Sequence, residues 1–544
     1  MTGTAPSLPL PATTYSPALD RTVKIVIVLA VTLIASMEYL TSYAVGVALP
    51  DIQGDLAASF DEGSWILTTY ATCFLVGLVL SNWMADRIGY RRWMICAVVL
   101  FMCSSVGCGM SHTLAQILVF RGVMGFTGGN FLTRAETAIY RAYTGLGRFK
   151  ALIVLAFGVV ICARTSGALV GGYLTEWYSW RYIFFLNVPL ALAALVMLVT
   201  FLPDVQAPQR PGPLDVVGLF LLVGWLASLQ IVLSRGERDD WFSDPLIVTL
   251  SYIFAISLPL FIWWERRPSN GNPIISLQIY RTRNFVLGSI YVVVLGMMLY
   301  GQMYVLPQFL RGVQHHSAWG TGKLQTVNAL WFTIGLVIGA LLMKRLGIRA
   351  ALGVGAAVFM AGMCVWASRL TPQISDDAMY LPLALTGFGA GWQIGPISIL
   401  INSQTSNLLM GESMELYLFQ RQLGGSWGIA ILAILVDRQR SFWSGRLGEG
   451  INEYNLLSQD AFRHGAALLR SAGLPPAQSD AGAIGLLHAR LVLQSVVNAF
   501  ADTFAYQAAI GALALFLVSF FARGRAFKAG VHWIVQMVRY CPRF

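Results

Sequence analysis

The chain has 544 residues, 56% of them hydrophobic and only 12% charged, with a mean hydropathy of +0.64; a soluble globular chain carries about 25% charged residues. A soluble enzyme is thereby excluded and the bilayer becomes the main solvent. The formal charge of +11 does not call for a nucleic-acid partner, because the 37 Lys and Arg are scattered in ones to fours between apolar runs and form no stripe or tail.

Residues 1–23 are rich in Pro, Ser and Thr and lack the basic start and short apolar core of a secretory signal, so they read as a cytoplasmic tail. Apolar runs long enough to span a membrane then follow at 24–46, 64–85, 93–111, 114–138, 150–174 and 181–202. The Pro-rich stretch DVQAPQRPGP closes this first half, 24–203, and makes 204–214 a cytoplasmic linker. Runs at 215–234 and 245–264 form an inserted pair, 215–265. A second half, 283–523, holds runs at 284–305, 325–343, 349–368, 379–402, 412–436 and 502–522. Between the last two lies a long outer loop, 437–501, whose stretches 453–472 and 482–500 have helix-compatible patterning that could form a small amphipathic cap. Residues 524–544 are a second cytoplasmic tail.

Fourteen crossings put both termini on one side, and basic residues say which. With the N-terminus inside, 21 of the 37 Lys and Arg fall in inner segments, whereas the outer loops after the first and seventh runs carry Asp51, Asp55, Asp61, Glu62, Asp239, Asp240 and Asp244. Both termini are therefore expected in the cytoplasm. The seven cysteines lie almost all inside apolar runs with no CxxC, and His315 and His316 have no carboxylate cluster beside them, so neither a disulfide nor a metal site is expected, and no cofactor is called for. A membrane enzyme is disfavoured by the lack of a phosphate loop, a nucleophile and base pair, or metal-ligand spacing.

The inner loop after the second run reads NWMADRIGYRR, where Asp86 can accept from Arg or from helix-start amides. The order Asp86, Arg87, Gly89, Arg91, Arg92 resembles the loop signature of the major facilitator superfamily, with Asn82 in place of its leading Gly. The strings YLTSYAVGVALPDI, FRGVMGFTGG, GALVGGYLTEWYSWRYIFFLNVPLA and RQLGGSWGIAILA extend the resemblance to the fourteen-helix drug:proton antiporter family of the EmrB/QacA type. That resemblance implies an all-α membrane protein with the major facilitator fold, fourteen transmembrane helices in two six-helix halves plus an inserted pair, and proton-coupled export of drugs or other amphipathic organic compounds from the cytoplasmic membrane of a bacterium. It also implies a periplasmic adaptor and an outer-membrane duct where the host has an outer membrane. Two alternatives are a dedicated exporter of an organic anion, such as a siderophore or aromatic acid, and a transport-dead receptor or sensor.

Departures from the family pattern single out residues. Aligned through VALP, the acid that members commonly carry in the first run falls on Thr41, leaving Glu38 one turn earlier as its substitute. The family's Arg in the fourth run is Arg121, followed by Met124 in place of Gln. In the fifth run the glycine motif keeps Gly167, Gly171 and Gly172 but has Ala168 for its proline, and a further position often held by Pro is Arg164. At 1.5 Å per residue, Glu38 and Arg164 each lie roughly 21 Å from the inner ends of their runs and Arg121 roughly 10 Å below the outer surface. The three thus share a depth and could meet in one cavity. Glu38 is the expected proton carrier, paired with Arg121 in one state, with Glu136 in reserve. Arg164, Thr41, Met124, Gln393 and Arg421 are expected in the substrate cavity. Arg134 and Glu136, with Glu412 and Glu415, form a second ionic group near the inner surface. Two guanidiniums against one carboxylate lean the cavity toward an anionic substrate.

Overall fold

The computed structural model describes residues 20–143, 145–203, 214–237, 239–267, 273–275, 277–402, 410–452 and 454–521. Most of the two expected tails and of the linker lies outside them. The described residues are helical throughout, with no strand.

Each apolar run becomes a helix because a spanning segment must satisfy its own backbone in lipid. The first half holds α1 (Arg21–Asp55), α2 (Phe60–Ile88), α3 (Tyr90–Gly109), α4 (Leu114–Gly128), α5 (Phe131–Ala142), α6 (Gly145–Ala156), α7 (Arg164–Trp177), α8 (Arg181–Phe185) and α9 (Asn187–Phe201). α4 and α5 form one crossing broken at Gly129 and Asn130, and α6 and α7 form another, joined by the π-helical stretch Phe157–Ala163. The inserted pair is α10 (Val216–Arg235) and α11 (Pro245–Glu265). The second half holds α12 (Arg283–Gly312), α13 (Ala318–Leu346), α14 (Ile348–Arg369), α15 (Asp376–Asn402), α16 (Met410–Glu449), α17 (Leu456–Ser471) and α18 (Pro476–Phe520).

Twelve helical segments among the described residues are long and apolar enough to cross a membrane. The α4–α5 crossing and α16 are helical but fall short of that measure, the first through its break and the second through the polar triplet Gln420, Arg421 and Gln422 beside three glycines. Helix starts are capped: Ser59 and Glu62 form a reciprocal capping box at α2, Asp244 accepts from Leu246 and Ile247 with Pro245 in the first turn of α11, and Ser317 accepts from Gly320 at α13.

The two halves repeat one packing scheme. α1 packs on α7 and α2 on α4 in the first half; α12 packs on α16 and α13 on α15 in the second. Close approach depends on missing side chains: a Cβ on Gly171 would meet the Ala44 backbone at 2.6 Å, and one on Gly424 would meet the Val293 carbonyl at 2.0 Å. Corresponding turns use Gly89 (φ +99°) and Gly347 (φ +83°), conformations that a side chain disfavours.

Basic residues gather at one end of the bundle. There Arg283 and Arg349 donate to the last carbonyls of α18, at Phe520 (3.1 Å) and Ser519 (2.7 Å), satisfying groups the helix leaves unpaired. The opposite, acidic end holds Asp51, Asp55 and Glu62. At the acidic end the segment 437–501, expected as an outer loop, is almost wholly helix. α16 runs for 40 residues and α18 for 45, roughly 60 and 68 Å against a hydrocarbon layer of about 30 Å. Their ends, with α17, form a helical stem held by Trp443 to Asp502 (2.7 Å), Gln439 to Tyr506 (2.9 Å) and Arg470 to Asp480 (2.7 Å).

The inserted pair lies against the bundle on one side. α10 touches both α2 and α16, and Gln230 Oε1 accepts a 2.5 Å hydrogen bond from Ser426 on α16. α11 packs on α10 and leaves Tyr252, Ile256 and Trp263 exposed.

Candidate functional site

α1 carries acid and aromatic residues on adjacent faces. Glu38, 8% exposed, accepts at Oε1 from the Tyr70 hydroxyl of α2 (3.0 Å) and from Ser42 one turn on (3.4 Å). Gly128 leaves the room, since a Cβ there would lie 2.8 Å from the Tyr70 oxygen and 3.3 Å from Glu38 Cγ. Arg121 of α4, 1% exposed, has its guanidinium 4.2 Å from the Tyr70 ring centre, and its Nε donates to the Ile66 carbonyl (3.3 Å). Glu38 and Arg121 are therefore neighbours through Tyr70 and form no ion pair in this structure.

On the next face, Tyr39 accepts from Arg421 of α16 (2.8 Å), which joins the two halves at mid-depth. Tyr43 lies beside Arg164 of α7, whose guanidinium stands 4.9 Å from the Tyr43 ring centre and 3.5 Å from that of Phe332 on α13. Arg164 lines a small cavity with Tyr43, Gln302, Gln325 and Asn328. Neither Glu38 nor Arg121 lines this cavity.

Three expected cavity residues point elsewhere. Thr41 donates to Met37 O (2.8 Å) and meets Asn187 Oδ1 (2.9 Å), and Asn187 in turn donates to Ser105 (2.9 Å), so the chain Thr41–Asn187–Ser105 fastens α1 to α9 and α3. Met124 is fully buried, its sulfur 3.8 Å from Arg121 Nη1. Gln393 is fully buried between the Tyr291 hydroxyl and the Gly389 carbonyl. Each has spent its polar groups on packing partners.

Among the described residues, several contacts join the halves at the acidic end. Arg311 donates to Asp51, Gln308 to Gln53 (2.8 Å), and the Ala318 amide to Glu176 (2.8 Å). A Cβ on Gly172 would lie 2.6 Å from the Ala318 carbonyl, so α7 and α13 touch backbone to backbone. Trp177 and Trp319 cover the contact edge to face, 5.5 Å apart. At the basic end Arg134 on α5 faces Glu415 on α16 at 3.7 Å. Glu136, half-buried on α5, makes no hydrogen bond or ion pair among the described residues.

In the loop expected to steer conformational change, Gly89 supplies the turn and Arg91 donates to the Val199 carbonyl at the end of α9. Asp86, Arg87 and Arg92 are exposed. The Tyr90 hydroxyl next to this loop donates to the Arg134 carbonyl, and Arg141 lies 4.6 Å from the Tyr90 ring centre, which ties the turn to α5. The string WRYIFFLN acts at the other end: Trp180 and Arg181 both donate to Asp55, and Arg181 also to the Ser111 carbonyl. The partners that sequence reasoning missed are Tyr70, Tyr39, Tyr43 and Gln325. The spacing of Tyr39 and Tyr43, one helical turn apart in α1, was the available signal.

Comparison with known proteins agrees with this architecture. The multidrug export protein EmrB of Escherichia coli (strain K12) is 28% identical over 438 residues, covering 79% of this chain and 84% of that protein. The protein of the same name from Haemophilus influenzae is 26% identical over 500 residues, covering 92% and 96%. Among solved structures, a bacterial homolog of the human lysosomal transporter Spinster, in an inward-facing and occupied conformation, superposes with a TM-score of 0.61 at 16% identity, covering 94% of this chain and 98% of that one. Residues 31–429 match the family model of the Major Facilitator Superfamily, and the chain belongs to that family.

Proposed function

We propose that this protein is a proton-coupled secondary transporter that exports drugs or other amphipathic organic compounds across a bacterial cytoplasmic membrane. The observation that carries the reading is Glu38: a buried carboxylate in the middle of α1, held by hydroxyls of α1 and α2 and one aromatic ring away from Arg121. Buried ionisable residues inside a bundle are costly and serve proton or substrate pathways. Loss of the Tyr70 hydrogen bond when the helices shift would change how well the charged form is held, which is what loading and releasing a proton requires. Arg421 on Tyr39 couples that event to the second half. Glu136 is the second proton-handling group, and the Asp86–Arg92 turn, tied to α5 through Tyr90, steers the change at the basic end.

The positive-inside rule supports a cytoplasmic basic end with both termini, and leaves the acidic end and its stem outside. The stem is then the surface offered to a periplasmic adaptor and, through it, an outer-membrane duct. The contacts between the halves at the acidic end support a state closed toward the outside.

Reconstitution in liposomes with an imposed pH gradient tests the reading. Gradient-driven accumulation of at least one compound from a panel of amphipathic cations and organic acids is expected, and Glu38→Gln is expected to abolish the dependence on the gradient while leaving the protein folded. Full gradient-driven transport in Glu38→Gln would remove Glu38 from the mechanism.

A further inference from the structure

Arg164 is 8% exposed and lies deep in the bundle, yet it has no carboxylate partner among the described residues and its Nε makes no hydrogen bond. Phe332 and Tyr43 cover the guanidinium with their rings, which stabilises the cation but leaves its N–H edges without acceptors. Gln325, also 8% exposed, points into the same cavity with Nε2 unbonded. The neighbouring amides are occupied: Gln302 and Asn328 both donate to the Thr386 hydroxyl, at 2.8 and 3.1 Å. Two unsatisfied donors thus face one small space, and a buried donor without an acceptor is normally matched by a ligand or water.

We propose that this cavity seats the carboxylate of an amphipathic organic acid, with Arg164 gripping it through two N–H groups and Gln325 adding a third donor. The proposal rests on the export reading and names the substrate class. The space measures about 20 Å³ in this state, room for roughly one water, so the carboxylate and the chain that carries it enter in a wider state of the transport cycle. The apolar body of the molecule lies along Leu299, Met303 and Leu306 of α12, which complete the lining. Planar bidentate recognition is what a guanidinium provides and an ammonium does not.

The test uses the full chain in lipid nanodiscs and calorimetric titration with 4-phenylbutyrate, its methyl ester and 4-phenylbutylamine. The acid is expected to bind about tenfold or more tighter than the ester, as a charge-assisted bidentate contact allows. Arg164→Gln should erase most of that preference, Arg164→Lys should retain part of it, and Gln325→Leu should lower it by a few fold, with thermal midpoints reporting that each variant is folded. A preference for acid over ester that vanishes in Arg164→Gln supports the seat even when no proton-driven flux is found, in which case the export reading alone fails. Proton-driven flux without any such preference, or a preference unchanged in Arg164→Gln, overturns the seat and leaves the export reading standing.

Discussion

The guanidinium of Arg121 lies 4.2 Å from the centre of the Tyr70 ring. Because the hydroxyl of that ring is also bonded to Glu38, cation and carboxylate share one tyrosine instead of pairing directly. A direct buried ion pair would hold the two charges in a deep well; a shared aromatic partner keeps each satisfied and separable.

Tyr70→Phe isolates the hydroxyl. The ring under Arg121 stays and the bond to Glu38 goes, a loss of about 1.5–3 kcal/mol for a hydrogen bond to a charged group. Gradient-driven transport should fall about tenfold to a hundredfold with the protein still folded, whereas Tyr70→Ala should also lower stability by about 3 kcal/mol or more as a large-to-small core change. Transport rates in liposomes and denaturation midpoints separate the two, and wild-type transport in Tyr70→Phe would contradict the shared role.

Closure at the acidic end depends on Gly172. Any side chain there meets the Ala318 carbonyl at 2.6 Å, a backbone atom that cannot swing aside. Gly172→Leu should push α7 off α13 and open that end. In a Gln53→Cys background, reaction with a membrane-impermeant maleimide should rise several-fold, because Gln53 is buried against Gln308 in the closed state. Unchanged reactivity would show that the contact is not limiting.

The Asp51–Arg311 pair also bridges the halves, but both side chains are partly exposed, 29% and 17%. A double-mutant cycle with Asp51→Asn and Arg311→Gln should return a coupling of only about 0.2–1 kcal/mol, the range for accessible pairs. A coupling of several kcal/mol would mean that the pair, and not the glycine contact, is the main lock.

The stem should be separable from the transport unit. A Cβ on Gly448 would lie 3.7 Å from Leu491 Cδ1, so replacing 450–490 by a short Gly/Ser linker joins two helices that already run side by side. Proton-driven transport by the purified protein is expected within about twofold of the full chain, since the internal contacts of the spans are untouched. Collapse of transport in liposomes would assign the stem to the transport cycle.

The helical runs were legible because about 20 apolar residues in a row have few other uses. The stem was not, and the reason is physical: beyond Val436 the sequence DRQRSFWSGR turns polar, which marks where lipid ends but not where the helix ends. Among site residues, Glu38, Arg121 and Arg164 stood out as charges in apolar sequence, and all three are buried in the bundle. Which way they face was not legible. The π-helical turn before Arg164 holds an extra residue, which rotates everything after it by about 100° relative to a straight helix. Tyr70 gave no signal at all, because a tyrosine in a membrane helix is ordinary until its partners are known.

The inserted pair gives the molecule two unequal flanks. Where α2 meets α16, α10 packs on both of them and α11 packs on α10. Where α7 meets α13, the half-exposed rings of Tyr173 and Trp177 are the surface itself, packed against Trp319. One junction between the halves is therefore covered by added helices and the other is bare.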